Sequence, residues 1–363
     1  ERWHIFLELL GKTAMIGVVG VLLIWAVYGF FVWNYPAERQ YADTASILST
    51  SPLGPLVTFD LALTKNKILR PLGEYVLGVL MVLQRTGGGN TTYYWGELSA
   101  AGWRSYFPVL YAVKEPLAFH ILTLIAVVFG ISKIRKAGRE SREKYLRRFT
   151  LWTRDHFIEF SAFVFIVLYW LASVSSTLNL GIRHVLPTFP FIYLLVSKEI
   201  IAWLRPWRGV QVQSWREWFK KIWQMYVVSL PRYVFLWLMI AWQAVSVAAV
   251  FPSFLSYYNI LGGGTAEGYR VAVDSNYDWG QDLKRLKFFV DQNNIPKIAV
   301  DYFGGGNPQY YLGGKFEPWW SARGHPSSGG WLAVSASTQM GAYATPAHGY
   351  NRKPEDGYEW LKP

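Results

Sequence analysis

Residues 117–154 read LAFHILTLIAVVFGISKIRKAGRESREKYLRRFTLWTR, an apolar run followed at once by a densely basic one. The basic part, Lys133–Arg154, contains nine Lys or Arg residues. Apolar runs of about twenty residues are long enough to cross a bilayer as helices, and loops rich in Lys and Arg stay on the cytoplasmic side. This stretch therefore predicts a membrane-spanning helix that ends in a cytoplasmic loop.

Five apolar runs of about twenty residues predict five transmembrane helices, so we expect a mostly α-helical membrane protein. The predicted spans are residues 14–33, 111–131, 157–178, 185–204 and 233–251. The connector after the fourth span is also basic and contains Arg205, Arg208, Arg216, Lys220 and Lys221. Because two spans separate the basic connectors, both fall on the cytoplasmic side, as the charge rule requires.

This orientation places residues 34–110, 179–184 and 252–363 outside the cytoplasm. Within the first of these segments, Leu72–Leu83 is apolar but contains Glu74. It is shorter than the roughly twenty residues that a span needs. We therefore expect an amphipathic helix on the outer face, either interfacial or re-entrant.

The chain changes character after the predicted membrane domain, which covers residues 1–251. Residues 252–363 have the mixed composition of a small α/β domain, with strands predicted at Lys297–Phe303 and Trp331–Ser335. A helix is predicted between the membrane domain and the first strand, because Asp278 and Gln281 have the spacing of a capping box. The apolar face of this helix is expected to consist of Trp279, Leu283, Leu286 and Val290.

The composition excludes several classes of function. The 363 residues are 52% hydrophobic, too apolar for a disordered or nucleic-acid-binding protein, and the net charge of +12 is concentrated in loops. The absence of cysteine excludes disulfides, zinc–thiolate sites and cysteine nucleophiles. Gly304–Gly306 lacks the spacing of a nucleotide-binding loop, so we expect no nucleotide. Because the chain begins at Glu1 and stops where another strand would follow, we expect truncation at both ends.

Polar residues beside membrane spans are costly to place and therefore mark candidate sites. Four such clusters lie on the predicted outer side, at residues 93–108, 114–116, 179–184 and 274–282. Arg183 has a planar guanidinium suited to phosphate oxygens, His184 could add a donor, and Lys114 could add a point charge. Structural explanations compete with these roles. Arg183 and His184 could anchor the chain at lipid headgroups, and Lys114 could neutralise Glu115, which we favour over direct donor contact.

The other polar residues of the clusters also have two interpretations each. Glu97 is expected on a solvated loop, with a metal-binding or acceptor-binding role as the alternative. Helix capping explains Asp278 more readily than catalysis does, although its helix could cover a membrane cavity as a lid. The aromatic residues from Tyr93 to Tyr106 favour interfacial packing over a platform for a sugar ring.

Four strings occur in one order along the chain: WGELSAAGWRSYFP (95–108), KEP (114–116), GIRHVLP (181–187) and SNYDWGQDL (275–283). Together they resemble the C-terminal half of the polytopic glycosyltransferases related to protein O-mannosyltransferases and lipid A aminoarabinose transferases. The resemblance covers most of the chain. It is strongest to bacterial members that end in a soluble outer domain.

The resemblance implies a GT-C type fold in a bacterial inner membrane, a polyprenyl-phosphate sugar donor, and a protein, lipid or glycan acceptor. It implies donor-phosphate binding by Arg183, His184 and Lys114, and substrate binding by Tyr106, Glu97, Asn276 and Asp278. The family's catalytic acidic residue lies in an early outer loop, and no residue here matches it. We therefore expect the chain alone to be inactive. A divalent metal is left open as a cofactor, and no metal ligands or nucleic-acid partner are predicted.

Two other classes of function remain open. A transporter would need ionisable groups deep within its helices. Here the mid-span positions are nearly all apolar, and Lys198 and Glu199 are expected to snorkel to the cytoplasmic interface. A non-catalytic receptor or assembly protein whose outer α/β domain binds a partner fits the same pattern.

Overall fold

The computed structural model describes residues 2–137, 142–204, 214–326, 330–347, 350–351 and 357–361. The chain forms two compact units, Glu1–Gly89 and Asn90–Pro363. Helices dominate both units, and six short strands all belong to the second one among the described residues. The fold is therefore mostly α-helical, as predicted.

The first unit consists of four helices. They are α1 (Arg2–Val32), α2 (Ala37–Ile47), α3 (Gly54–Lys65) and α4 (Arg70–Gly88). The predicted helix Leu72–Leu83 is present and forms the middle of α4, where Leu77 and Leu80 pack against Leu48. Arg70, the first residue of α4, donates to the carbonyl oxygens of Val32 and Tyr35 and so ties this helix to the end of α1.

The second unit contains the remaining long helices. They are α5 (Tyr106–Lys114), α6 (Leu117–Ala137), α7 (Arg142–Asp155), α8 (Phe157–Ser175), α9 (Phe189–Leu204), α10 (Trp215–Trp223) and α11 (Leu230–Ala248). A π-helical segment, Gln224–Ser229, joins α10 to α11. These bounds confirm helices at the predicted third, fourth and fifth spans.

Within the described part of the chain, four helical stretches are long and apolar enough to cross a membrane. They are Phe6–Val32, Phe157–Ser175, Leu186–Leu204 and Trp215–Ala248. A fifth is formed if the bent pair α5 and α6 counts as one span. The number of apolar helices agrees with the sequence prediction, whereas insertion into a membrane stays a prediction.

The predicted second span, residues 111–131, is wrong as a continuous helix. The chain bends by 110° between α5 and α6. The cause is Pro116, because the residue before a proline is pushed out of helical conformation, and Glu115 has φ −87° and ψ 146°. Asn259 compensates for the break by donating from Nδ2 to the carbonyl oxygens of Ala112 and Glu115, at 2.7 and 2.8 Å.

Two ion pairs join the ends of α6, α8 and α9. Lys133 Nζ lies 2.6 Å from Glu199 Oε2, and Lys198 contacts Glu159. Lys198 and Glu199 each pair with an opposite charge on a neighbouring helix, and their snorkelling to the cytoplasmic interface stays a prediction. The predicted basic loop lies beside these pairs and is largely helical, as the end of α6 and as α7, while residues 138–141 lie outside the described residues.

Six strands form two three-stranded sheets in the second unit. In the first, β1 (Thr92–Tyr94) is antiparallel to β2 (Glu97–Ser99), which is parallel to β6 (Thr345–Ala347). In the second, β3 (Ile298–Asp301) lies between β4 (Phe316–Pro318) and β5 (Trp331–Val334), and all three are parallel. The sequence predicted β3 and β5 but neither β4 nor the first sheet. The boundary at residue 252 stays a prediction, although β2 and β6 link its two sides.

Three helices accompany the parallel sheet: α13 (Leu283–Gln292), α14 (Pro308–Leu312) and α15 (Ala336–Tyr343), after the short α12 (Gly264–Glu267). The predicted capping box is wrong, since α13 begins at Leu283. Asp278 Oδ1 instead accepts from Gly280 N at 3.0 Å, and Gln281 Oε1 accepts from Trp279 N at 2.8 Å. Gly280 has φ +79°, so these residues form a tight turn before the helix, and Trp279 is not on its face.

Candidate functional site

The polar clusters predicted as separate features meet at Asn276, whose side chain is 0% exposed. Its Oδ1 accepts from Ile182 N at 3.0 Å, and its Nδ2 donates to Tyr106 Oη at 3.0 Å and Val273 O at 3.1 Å. Its backbone carbonyl accepts from Lys114 Nζ at 2.6 Å. One residue thus joins segments that lie 94 to 170 positions away in the chain.

Because Gly181 has no side chain, its backbone can lie close to Ser275 and Asn276. Gly181 has φ +135°, and a Cβ there would lie 2.3 Å from Ser275 Oγ. Ser275 uses that hydroxyl to donate to Leu180 O at 2.5 Å. A side chain at position 181 would therefore separate the Gly181–His184 segment from Ser275 and Asn276.

Lys114 is held by the fold. Its Nζ donates to Leu255 O at 2.7 Å and to Asn276 O, and it lies 4.4 Å from the centre of the Tyr258 ring. Glu115 accepts from Tyr193 Oη at 3.1 and 3.2 Å instead of pairing with Lys114. The interpretation that Lys114 and Glu115 neutralise each other is therefore wrong. A phosphate-binding role for Lys114 stays a prediction.

Arg183 is exposed and lies in a single 3₁₀ turn, Ile182–His184, between α8 and α9. Its guanidinium carbon is 4.3 Å from the centre of the Trp279 ring. Within the described residues, no side chain or carbonyl accepts a hydrogen bond from this guanidinium. The contact with the aromatic face restrains the cation, while its N–H donors remain available for a ligand. This is the arrangement that binds an external oxyanion.

His184 lies beside a small cavity. The cavity has a volume of about 240 Å³ and is lined by Phe107, Tyr169, Ala172, Ser173, Ser176, Leu178 and His184. The ring of His184 is half-buried, 6.4 Å from that of Phe107. The structure therefore places the ring of His184, the residue that follows Arg183, at a mostly apolar cavity at the C-terminal end of α8.

The predicted substrate-binding residues fall into two groups. Tyr106 and Asn276 are buried, and their polar atoms bond each other and the backbone, so their observed contacts are structural. Glu97 is exposed at the start of β2, opposite Tyr94. Asp278 is half-buried and holds the turn at Gly280. Substrate binding by these four residues stays a prediction.

The carboxylates of Asp60 and Asp301 were not predicted from the sequence as candidate functional groups. Asp60, on α3 in the first unit, is 0% exposed, and neither of its carboxylate oxygens accepts a hydrogen bond from the described residues. Burial, with a smaller contribution from Glu74, raises the pKa of Asp60 to about 7. An Asp inside the apolar helix GPLVTFDLALTK was a signal that could have found it. Asp301 ends β3, where a parallel sheet commonly places functional groups.

No family profile, curated protein or solved structure matches this chain. In the part of the chain that the structure describes, no group of three or more His, Cys, Asp or Glu residues could hold a metal ion. The functional conclusion therefore depends on the geometry of the site and on the resemblance of the four sequence strings.

Proposed function

We propose that this chain belongs to an integral-membrane glycosyltransferase that moves a sugar from a polyprenyl-phosphate donor to an acceptor on the outer face of the membrane. The observation that carries the proposal is Arg183. Its guanidinium is fixed on Trp279 with its N–H donors unengaged by the described residues, next to His184 and an apolar cavity. The resemblance of the four sequence strings supports the same activity.

The chemistry of this transfer matches that arrangement. As the bond between the sugar and the donor phosphate breaks, negative charge grows on the phosphate that leaves. Donors fixed in advance at that phosphate stabilise the transition state more than the ground state. A guanidinium held on an aromatic face needs little reorganisation to bind two phosphate oxygens at once.

The surroundings of Arg183 also suit the lipid part of the donor. The lining of the cavity beside His184 includes the apolar residues Phe107, Ala172 and Leu178 as well as Tyr169, Ser173 and Ser176. Further along α8, Leu168 and Leu171 are exposed. An isoprenoid chain could follow this surface while its phosphate stays at the helix end, where the charged groups are.

Donor binding tests the proposal directly. The chain in nanodiscs of zwitterionic lipid should bind farnesyl phosphate, with farnesol as the ligand control for simple partitioning. Arg183→Ala should weaken phosphate-dependent binding at least tenfold, and Arg183→Lys should recover part of it, because a point charge lacks the planar fork. A polyprenyl-phosphate mannose should displace farnesyl phosphate.

Arg270→Ala is the matched control, because Arg270 is an exposed arginine of the same unit whose guanidinium pairs with Glu267 at 2.6 Å. This variant should bind farnesyl phosphate like the unchanged chain. If Arg183→Ala also kept full affinity, Arg183 would be an interfacial anchor and the proposed donor site would be lost.

A further inference from the structure

A second and larger cavity lies in the α/β part of the second unit. Its volume is about 410 Å³, within the range of about 300–1,000 Å³ usual for small-molecule sites. The lining residues are Thr91, Thr92, Tyr93, Leu98, Val273, Asp274, Asp301, Phe303, Trp320, Ser321, Ser337, Thr338, Gly341, Ala342 and Tyr350. None of the residues proposed to bind the donor phosphate is among them.

The position of this cavity follows from the strand order β4-β3-β5. The chain leaves the central strand β3 towards β4, on the side away from β5. A crevice opens between the carboxyl ends of β3 and β5, which is where ligands bind in parallel α/β sheets. Residues from β1 and β2 line the opposite wall. The cavity is therefore enclosed by both sheets of the unit.

The polar groups of the cavity are two carboxylates and several hydroxyls, all of which can accept hydrogen bonds. Asp301 Oδ2 accepts from Tyr358 Oη, while Oδ1 accepts no hydrogen bond from the described residues. Asp274 has φ +56°, a strained conformation for a residue with a side chain, and Ser337 Oγ accepts from its backbone N–H at 2.9 Å. Thr338 adds a hydroxyl. Such acceptors suit a ligand that carries several O–H donors.

Aromatic faces complete the lining. Trp320 is 54% exposed at the rim, and Tyr93, Phe303 and Tyr350 lie further along the wall. Aromatic faces pack against the C–H faces of sugar rings, while carboxylates and hydroxyls bond the ring hydroxyls. Among the described residues, the lining contains two Asp residues and no Lys or Arg, which disfavours phosphates and other anions inside the cavity. At the rim, the guanidinium of Arg323 lies 5.1 Å from the centre of the Trp320 ring.

We propose that this cavity binds a saccharide unit that carries no negative charge, with Asp301 accepting from its hydroxyls and Trp320 packing on its ring. The idea that this saccharide is part of the acceptor rests on the proposed function. Saccharide binding in the cavity does not rest on it, because the cavity shares no lining residue with the Arg183 site.

Saturation-transfer NMR on the chain in nanodiscs, without maltoside detergent, tests the inference. The probes are cellobiose, mannobiose and N,N′-diacetylchitobiose, with glucose 1-phosphate as the anionic comparison. At least one neutral disaccharide should bind more tightly than glucose 1-phosphate. Asp301→Asn should weaken that binding at least tenfold, and Trp320→Ala, at a rim position that is 54% exposed, should weaken it severalfold.

Asp291→Asn is the matched control, because Asp291 is an exposed acid of α13 that pairs with Lys287 and Lys315 outside the cavity. It should leave saccharide binding unchanged. The inference is overturned if no neutral disaccharide binds, if glucose 1-phosphate binds better, or if both cavity variants bind normally. Arg183→Ala should lose farnesyl phosphate and keep the saccharide, so failure of one site is distinguishable from failure of the other.

Discussion

Asn276 in the second unit and Asp60 in the first are both 0% exposed polar residues, yet they differ in their hydrogen bonding. Both polar atoms of the Asn276 side chain have protein partners. Neither carboxylate oxygen of Asp60 has one among the described residues. A buried polar group with partners stabilises and specifies a fold, whereas one without partners costs free energy. The first is therefore a structural hub, and the second is a candidate for a function still to be assigned.

Replacing Asn276 should have the largest effect. Asn276→Leu removes three side-chain hydrogen bonds and leaves Ile182 N and Tyr106 Oη buried without a partner, which should cost about 3–5 kcal/mol. The measurement is the free energy of unfolding of the chain in detergent. Asn293→Leu is the control, because Asn293 is exposed and its side chain donates one hydrogen bond, to Phe289 O. If both variants lost equally little, Asn276 would not be a hub.

The pH dependence of stability should reveal Asp60. Its pKa is raised from an ordinary 3.8 to about 7, so between these values the folded state keeps a proton that the unfolded state has lost. Stability should fall as pH rises through this window and level off above about pH 7, with a total loss of roughly 2–4 kcal/mol.

Asp60→Asn should remove that fall, while Glu38→Gln, at an exposed acid of α2 in the same unit, should keep it. Unfolding midpoints at pH 4.5, 6 and 8 measure the effect. The same slope in the Asp60→Asn protein and in the unchanged chain would show that Asp60 is not the titrating group.

The smallest effect on the free energy of unfolding is expected at Gly181, whose backbone lies close to Ser275, the residue before the hub Asn276. Gly181→Ala adds a Cβ where Ser275 Oγ is 2.3 Å away and φ is +135°, so it should destabilise the chain by about 1–3 kcal/mol. Gly305→Ala adds a Cβ with no heavy atom within 4 Å and should be nearly neutral. Equal unfolding free energies for the two variants would mean that the contact between the segments relaxes without cost.

The elements that the sequence predicted correctly are those whose pattern lies in consecutive residues. The apolar run of α8 and the β-rich runs of β3 and β5 lie where their patterns indicated. The errors have local causes as well. Pro116 lies inside the predicted second span and indicates a helix break. The prediction gave more weight to the apolar residues on both sides of this proline. Asp278 has the spacing of a capping residue, but Gly280 turns the chain before a helix can begin.

By itself, the sequence determined the approximate bounds of four of the five predicted apolar helices, because helix length and hydrophobicity are properties of consecutive residues. It also identified the segments that carry polar side chains. Only the tertiary structure decided what those side chains do. Asn276 is a hub and Arg183 lies on the ring of Trp279 because of partners far away in the chain. Such partners cannot be predicted from neighbouring residues. The cavity beside Asp301 likewise combines residues that are far apart in the chain, from Thr91 to Tyr350.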